Sequence, residues 1–266
     1  MAKGFSVRRQ TGFGVIAWLC FFMLYLPILT LVLFSFNAEQ SMSVWGGFSL
    51  RWYESAWANQ TVQEASLRSL QIAFVAAIVA TTAATMAALA TTRGRAFRGE
   101  QAAYAMLNTP LIVPEIVTAT ALLIFFASIK VSTGYTGIGY LLAAHTAFCI
   151  PFAYLPIRAR LESMDLSLET AAADLYATPW QTFRRVTLPL LWPGIIAGFM
   201  LAFVISLDDV VITELVKSGG QDTLPTYMLG QLRRVVTPEI NAISTAFLML
   251  SVVIVTLFFF LNRQRS

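Results

Sequence analysis

Four titratable side chains interrupt otherwise apolar stretches of this chain: Glu115, His145 and the adjacent pair Asp208 and Asp209. A carboxylate near the centre of a bilayer costs about 2.5–3.5 kcal/mol on insertion scales, and so short a side chain reaches the interface with difficulty. We therefore expect the carboxylates to face a bundle interior or a water-filled cavity. No Lys or Arg lies deep in these stretches to neutralise them, which favours a cation as their ligand. A lone intramembrane His more often makes an interhelical hydrogen bond, and we expect this of His145.

The carboxylates allow more than one interpretation. Pro110 and Pro114 precede Glu115, and proline tends to kink a helix. Glu115 then either lines a substrate path at the kink or is neutral or paired with a neighbouring helix. Adjacent helical residues diverge by about 100°, so Asp208 and Asp209 cannot point the same way. We expect one to line a cavity and the other to pair with a nearby donor.

The composition requires that apolar helices position these groups. The chain has 266 residues, 57% hydrophobic and 12% charged, whereas soluble domains carry about 25% charged residues. We predict an all-α, polytopic membrane protein forming a single domain over residues 1–266. Six apolar segments approach the roughly 20 residues that span a bilayer. They are residues 14–34, 67–90, 102–129, 139–157, 192–216 and 242–261.

Several function classes are disfavoured by the same sequence. The net charge of +4 comes from scattered basic residues, so nucleic acid is not an expected partner. Cys20 and Cys149 lie in apolar runs and suggest neither a disulfide framework nor a metal site. The single His and the lack of a phosphate-binding loop motif indicate no catalytic residues, metal or cofactor in this chain.

The loops predict an orientation and two further surfaces. Lys and Arg favour the loops on the side of the termini by about two to one, which predicts cytoplasmic N- and C-termini. The first outer loop, 35–66, is rich in Trp and is either an interfacial aromatic belt or a docking surface for an extracytoplasmic partner. The last outer loop, 217–241, is long enough to lie over a translocation path as a gate.

The stretch at 163–190 separates the fourth and fifth apolar segments. Small apolar residues recur there at helical spacing: Leu168, Ala171, Ala172 and Leu175. We predict Ser167 as the N-cap of a short helix, followed by a second helix with a capping box of Thr178 and Gln181. Two short helices outside the hydrocarbon therefore present small side chains to a partner.

This stretch resembles the EAA loop of ABC-importer permeases. The matching positions are Thr170, Ala171, Ala172, Ala173, Asp174, Leu175, Tyr176 and Ala177, followed by Phe183, Leu188 and Pro189. Thr170 stands where the family usually has Glu, although Glu169 is adjacent. Tyr176 stands where the family usually has Gly, so the turn between the helices needs another backbone solution. The resemblance implies ATPase coupling through Glu169, Thr170, Ala171, Ala172, Asp174, Leu175, Tyr176 and Ala177.

Other motifs look like those of putrescine/spermidine permeases. They are Ser35-Phe36-Asn37, Trp45-Gly46-Gly47-Phe48-Ser49, Arg51-Trp52-Tyr53, Pro114-Glu115-Ile116-Val117-Thr118, Ser206-Leu207-Asp208-Asp209 and Thr237-Pro238-Glu239-Ile240-Asn241-Ala242. The resemblance implies a type I ABC importer permease fold in the bacterial inner membrane. It also implies a companion permease, two ATPase subunits that bind ATP and Mg²⁺, and a periplasmic polyamine-binding protein.

Two alternatives remain open at the level of sequence. In the first alternative, the chain belongs to an importer whose cargo is another small organic solute. In the second, the chain is an ion-coupled secondary transporter whose acidic residues are proton or cation sites. That transporter would need no EAA-like segment. In the leading interpretation Glu115, Asp208 and Asp209 line the path of a polyamine.

Overall fold

The computed structural model describes residues 11–41, 44–94, 98–234 and 237–263. These residues are mostly helical. The helices are α1 (Thr11–Phe34), α2 (Arg51–Ala58), α3 (Gln60–Thr92), α4 (Glu100–Ile112), α5 (Glu115–Thr133), α6 (Gly139–Ser163), α7 (Ser167–Asp174), α8 (Pro179–Thr182), α9 (Leu188–Asp208), α10 (Val211–Val216), α11 (Leu224–Leu232) and α12 (Pro238–Arg263). A π-helical turn, Phe183–Thr187, joins α8 to α9.

Six helical stretches are long and apolar enough to cross a membrane, which agrees with the number predicted. They are Phe13–Phe34, Gln60–Thr92, Glu115–Thr133, Gly139–Ser163, Pro179–Asp208 and Pro238–Phe258. The orientation of the termini stays a prediction. Part of the charge bias behind it comes from residues outside the described ranges, namely Lys3, Arg8, Arg9, Arg95 and Arg265.

The third segment differs from the single bent helix that the sequence suggested. The chain breaks between α4, which ends at Ile112, and α5, which begins at Glu115. Val113 is extended, with ψ 135°, as expected for a residue directly before a proline. Pro114 therefore ends one helix and precedes the next, and the candidate span lies at Glu115–Thr133 rather than at 102–129.

The fifth segment is broken as well. α9 runs to Asp208, Asp209 is extended with ψ 130°, and α10 restarts at Val211. The predicted continuous segment 192–216 is thus a long helix, a short extended break and a six-residue helix. Both breaks carry carboxylates that the sequence analysis singled out.

The chain divides into two compact units, and the single domain over residues 1–266 stays a prediction. The first contains residues 1–60 and 231–250, and the second contains residues 61–230 and 251–266. In the first unit the loop after α1 is organised by Asn37. Its side-chain oxygen accepts from the Gly46 nitrogen at 2.8 Å, and its side-chain nitrogen donates to the Val44 carbonyl at 2.7 Å.

In the second unit α6 and α9 pack closely because α9 carries glycine at the contact. A Cβ atom at Gly198 would lie 2.7 Å from the Ala153 carbonyl oxygen and 3.0 Å from Ile157. One at Gly194 would lie 2.6 Å from the Arg160 Cβ. Small residues are the usual means by which membrane helices approach each other. Glycine at these two positions sets the distance between the two helices.

We predict that Gly198→Val lowers the free energy of unfolding by about 1–3 kcal/mol, because the overlapping atom belongs to the backbone of α6. Thermal unfolding of the detergent-solubilised chain measures the change. Gly219→Val is the matched control, because a Cβ there meets nothing within 4 Å. An unfolding temperature of Gly198→Val equal to that of the control would contradict this packing.

Candidate functional site

The polar residues inside the apolar segments of the second unit meet around the two helix breaks. Glu115 is the first residue of α5, and His145 lies on α6. Asp208 ends α9, and Asp209 occupies the break before α10. The structure thus brings together four groups that lie far apart in sequence.

His145 is fully engaged in hydrogen bonds. Its Nδ1 shares a hydrogen bond of 2.8 Å with the Ser206 hydroxyl, and its Nε2 shares one of 2.9 Å with the Thr213 hydroxyl. The side chain is buried. His145 therefore ties α6 to α9 and α10, which is the interhelical role expected from the sequence. Neither hydroxyl was predicted as the partner of His145, because hydroxyls in apolar helices usually bond their own backbone.

Asp209 is the buried member of the acidic pair, with 7% of its surface exposed. One carboxylate oxygen accepts from both the backbone nitrogen and the hydroxyl of Thr213, each at 2.9 Å. The other accepts from the Ile212 nitrogen at 3.4 Å, and His145 Nε2 lies 3.6 Å from the carboxylate. These donors compensate for desolvation, since a buried charge is tolerated only when it is paired and hydrogen-bonded.

Asp208 is exposed and Glu115 is half-buried. The Glu115 carboxyl lies close enough to Asp209 and to Asp208 to interact with both. The three predicted path residues are therefore neighbours. Asp209 pairs with donors while Asp208 stays accessible, a division that the sequence alone did not resolve.

The loop after α10 is tied to several other elements of the second unit. Lys217 pairs with Glu214 and with Asp222, the latter at 2.7 Å. Burial lowers the pKa of Lys217, but its hydrogen bonds to Asp222 and Glu214 outweigh this effect and leave the pKa above its usual value. Arg68 of α3 donates to the Asp222 carbonyl at 2.8 Å. The predicted gate loop is thus fastened at its start, and gating itself stays a prediction.

The aromatic residues of α2 lie in two environments, some against the loop that precedes the helix and one exposed. Trp52 donates through Nε1 to the Asn37 carbonyl at 2.8 Å, and Tyr53 shares a hydrogen bond of 2.7 Å with the Ser35 hydroxyl. Trp57 is 81% exposed. Part of the cluster builds the loop, and part is available for an interface with lipid or with a partner.

The segment at 163–190 forms two short helices, as predicted, with one correction at its start. Ser167 is the first residue of α7 rather than its cap, and its nitrogen donates to the Asp165 carboxylate at 2.9 Å. This bond and one with the Ser167 side chain hold the pKa of Asp165 below its usual value. The capping box is confirmed. The Gln181 nitrogen donates to the Thr178 hydroxyl at 3.3 Å, and the Thr178 nitrogen donates to the Gln181 side chain at 2.9 Å.

In the turn between α7 and α8, Tyr176 itself adopts the backbone conformation that glycine usually provides. Tyr176 has φ 59°, the left-handed region that favours glycine. Its side chain is 96% exposed, that of Leu175 is 83% exposed and that of Trp180 is 67% exposed. These three residues form the exposed tip of the segment.

The remaining predicted coupling residues fall into two groups. Ala171 and Asp174 are exposed, while Ala172 and Ala177 are half-buried. Glu169 instead turns toward the rest of its own unit, where its carboxylate accepts from the Thr187 hydroxyl at 3.0 Å. Thr170 donates to the Leu166 carbonyl at 3.1 Å. The acidic residue next to the family's Glu position is thus already bonded within the chain.

Six apolar spans, carboxylates at two helix breaks and an exposed helical segment between spans define a polytopic transport subunit. The chain belongs to the family of binding-protein-dependent transport system inner membrane components, whose model matches residues 80–264. The predicted all-α permease fold is confirmed. A crystal structure of a bacterial ABC transporter involved in alginate import has a TM-score of 0.73 at 15% identity, covering 94% of this chain and 93% of that one.

Curated relatives are more similar in sequence. The putrescine transport system permease protein PotI of Escherichia coli (strain K12) is 39% identical over 237 residues, 88% of this chain and 84% of that protein. The spermidine/putrescine transport system permease protein PotC of Haemophilus influenzae is 37% identical over 262 residues, 98% of both chains. The similarity therefore extends beyond the EAA-like segment to nearly the whole chain.

We predict that Tyr176→Ile lowers the free energy of unfolding by about 1 kcal/mol while Tyr176→Gly does not, because a β-branched side chain is the most strained in the left-handed region. Contacts contribute little at a side chain that is 96% exposed, so backbone strain decides. Thermal unfolding tests this order. Leu175→Ile is the control, since Leu175 has an ordinary φ of −84°; an equal effect at both positions would contradict the explanation.

Proposed function

We propose that this chain is the permease subunit of an ATP-binding-cassette importer that moves polyamines, putrescine or spermidine, across the inner membrane. The observation that supports this cargo is the proximity of three carboxyl groups at the helix breaks, those of Glu115, Asp208 and Asp209. Carboxyl groups favour the ammonium groups of a cation and disfavour an anion. The names of the relatives, which are putrescine and spermidine/putrescine permeases, support the same cargo.

The proposed partners supply what this chain lacks in sequence. A companion permease completes the path, and a periplasmic binding protein delivers the polyamine. Two ATPase subunits bind ATP and Mg²⁺ and dock on the cytoplasmic side, where the exposed tip of Leu175, Tyr176 and Trp180 faces them. Exposed apolar side chains on a short capped helix pair suit insertion into a groove.

The mechanism is alternating access. Closure of the ATPases on ATP moves the segment at 163–190, and the helices that carry it open the path inward. Asp208, exposed at the end of α9, and Glu115, half-buried beside it, provide a transient site for ammonium groups. Asp209 is held by Thr213 and His145 and keeps the break in shape. Weak binding suits such a site, because the cargo must leave it as readily as it enters.

We expect Asp208→Asn and Glu115→Gln each to lower uptake of labelled putrescine about tenfold, since each removes one carboxylate from the ammonium site. Uptake is measured in cells that lack their own polyamine import and express this chain with its partner subunits. Glu162→Gln, at an exposed carboxylate on α6, is the control. Unchanged uptake in both path variants would refute the site. Uptake that persists without the ATPase subunits would favour a secondary transporter instead.

A second prediction concerns the segment at 163–190. Ala172→Trp is expected to abolish transport without preventing membrane insertion, because a bulky side chain on α7 blocks close approach of a partner helix. Co-purification with the ATPase subunits and uptake are the two measurements. Ala102→Trp, at an exposed alanine of α4, is the matched control. Normal transport by the Ala172 variant would show that the coupling surface lies elsewhere.

A further inference from the structure

Four elements of the second unit meet at the side chain of Arg93, one residue beyond the end of α3. Arg93 Nη2 donates to the carbonyl of Leu161, near the end of α6, at 2.9 Å. Arg93 Nε donates to Glu169, in the first turn of α7, at 3.3 Å. The same Glu169 oxygen accepts from the hydroxyl of Thr187, the last residue of the π-helical turn, at 3.0 Å. We call Arg93, Glu169, Thr187 and the Leu161 carbonyl the clasp.

The clasp is partly protected from solvent. The side chains of Arg93 and Glu169 are 19% and 22% exposed, and Thr187 is buried. Charge-assisted hydrogen bonds in such a setting are stronger than neutral ones and less screened than exposed ion pairs. The Arg158–Glu162 pair shows the contrast. Its carboxylate is 54% exposed, and its two partners lie on the same helix, so this ion pair does not link two helices.

Packing alone does not hold the segment that the clasp anchors. Neither α7 nor α8 has a buried residue, and the tip formed by Leu175, Tyr176 and Trp180 is exposed. The base of α7 is therefore fixed by polar contacts, and the clasp supplies those between α7 and the ends of α3, α6 and α9. A push on the exposed tip reaches the membrane helices through these bonds.

We propose that Arg93 and Glu169 are positioning residues that make the segment at 163–190 move as one body with the ends of α3, α6 and α9. This inference rests on the proposed function and assigns Glu169 a role within the chain rather than at the ATPase surface. Without the clasp, the segment bends about its base when the ATPases close, so that ATP is hydrolysed with little transport. The measured quantity is thus the ratio of uptake to hydrolysis rather than either rate alone.

The test uses the assembled transporter in proteoliposomes, with binding protein, labelled putrescine and ATP. Uptake and phosphate release are measured in the same sample. Arg93→Gln is expected to lower the ratio about tenfold while co-purification of the subunits stays at the wild-type level. Arg93→Lys keeps the charge beside Glu169 and should keep the ratio within about twofold of wild type. Glu162→Gln is the control, with an unchanged ratio.

Thr187→Val tests the clasp if the transporter that carries Arg93→Gln does not assemble. This nearly isosteric change removes one donor to Glu169 and should lower the ratio about threefold. The inference is overturned if Arg93→Gln leaves the ratio unchanged or lowers both rates in equal proportion. If the Arg93→Gln transporter does not assemble, a wild-type ratio of uptake to hydrolysis in Thr187→Val overturns the inference. A wild-type complex without ATP-driven polyamine uptake contradicts the proposed function instead, whatever the variants do.

Discussion

The hydrogen bonds that Asp209 accepts from Thr213 are the contacts on which the polar site depends. A helix that stops inside the hydrocarbon leaves backbone groups without partners, and in lipid each of them costs several kcal/mol. Asp209 accepts from the nitrogen of Thr213 at 2.9 Å and from that of Ile212 at 3.4 Å, so it satisfies two backbone donors in the first turn of α10. The same carboxylate lies beside His145 and Glu115. One buried charge thus stabilises the break and gathers the neighbouring polar groups.

The segment at 163–190 meets a different requirement, because its two short helices have no buried residues and are yet fixed to the ends of longer helices. Its helices are short and have no buried residues, and isolated helices of that length are marginal in water. The capping box of Thr178 and Gln181 stabilises the second helix from within. Glu169 anchors the first through Arg93 and Thr187. Local capping and a few charge-assisted hydrogen bonds therefore stabilise these two helices in place of a hydrophobic core.

Sequence alone predicted what depends on composition and local pattern. Hydropathy revealed six spans, and the Thr178–Gln181 spacing revealed a capping box. It did not reveal that Pro114 ends a helix, because proline kinks or breaks a helix according to whether neighbours satisfy the freed backbone groups. It also did not show which of Asp208 and Asp209 is buried, or which residues Glu169 contacts. These depend on partners distant in sequence, such as His145, Thr213 and Arg93.

Two helices, α6 and α9, connect the clasp with the carboxylates, since α6 carries both Leu161 and His145. α9 runs from Leu188 to Asp208, and at 1.5 Å per residue it is about 30 Å long. It begins directly after a π-helical turn that carries Thr187 of the clasp, and it ends at the break that carries Asp209. α9 is one continuous helix between these two irregular ends, with Pro193 inside it, and connects them directly. In the proposed mechanism a displacement of the segment at 163–190 therefore reaches the carboxylates along α9 and, through Leu161 and His145, along α6.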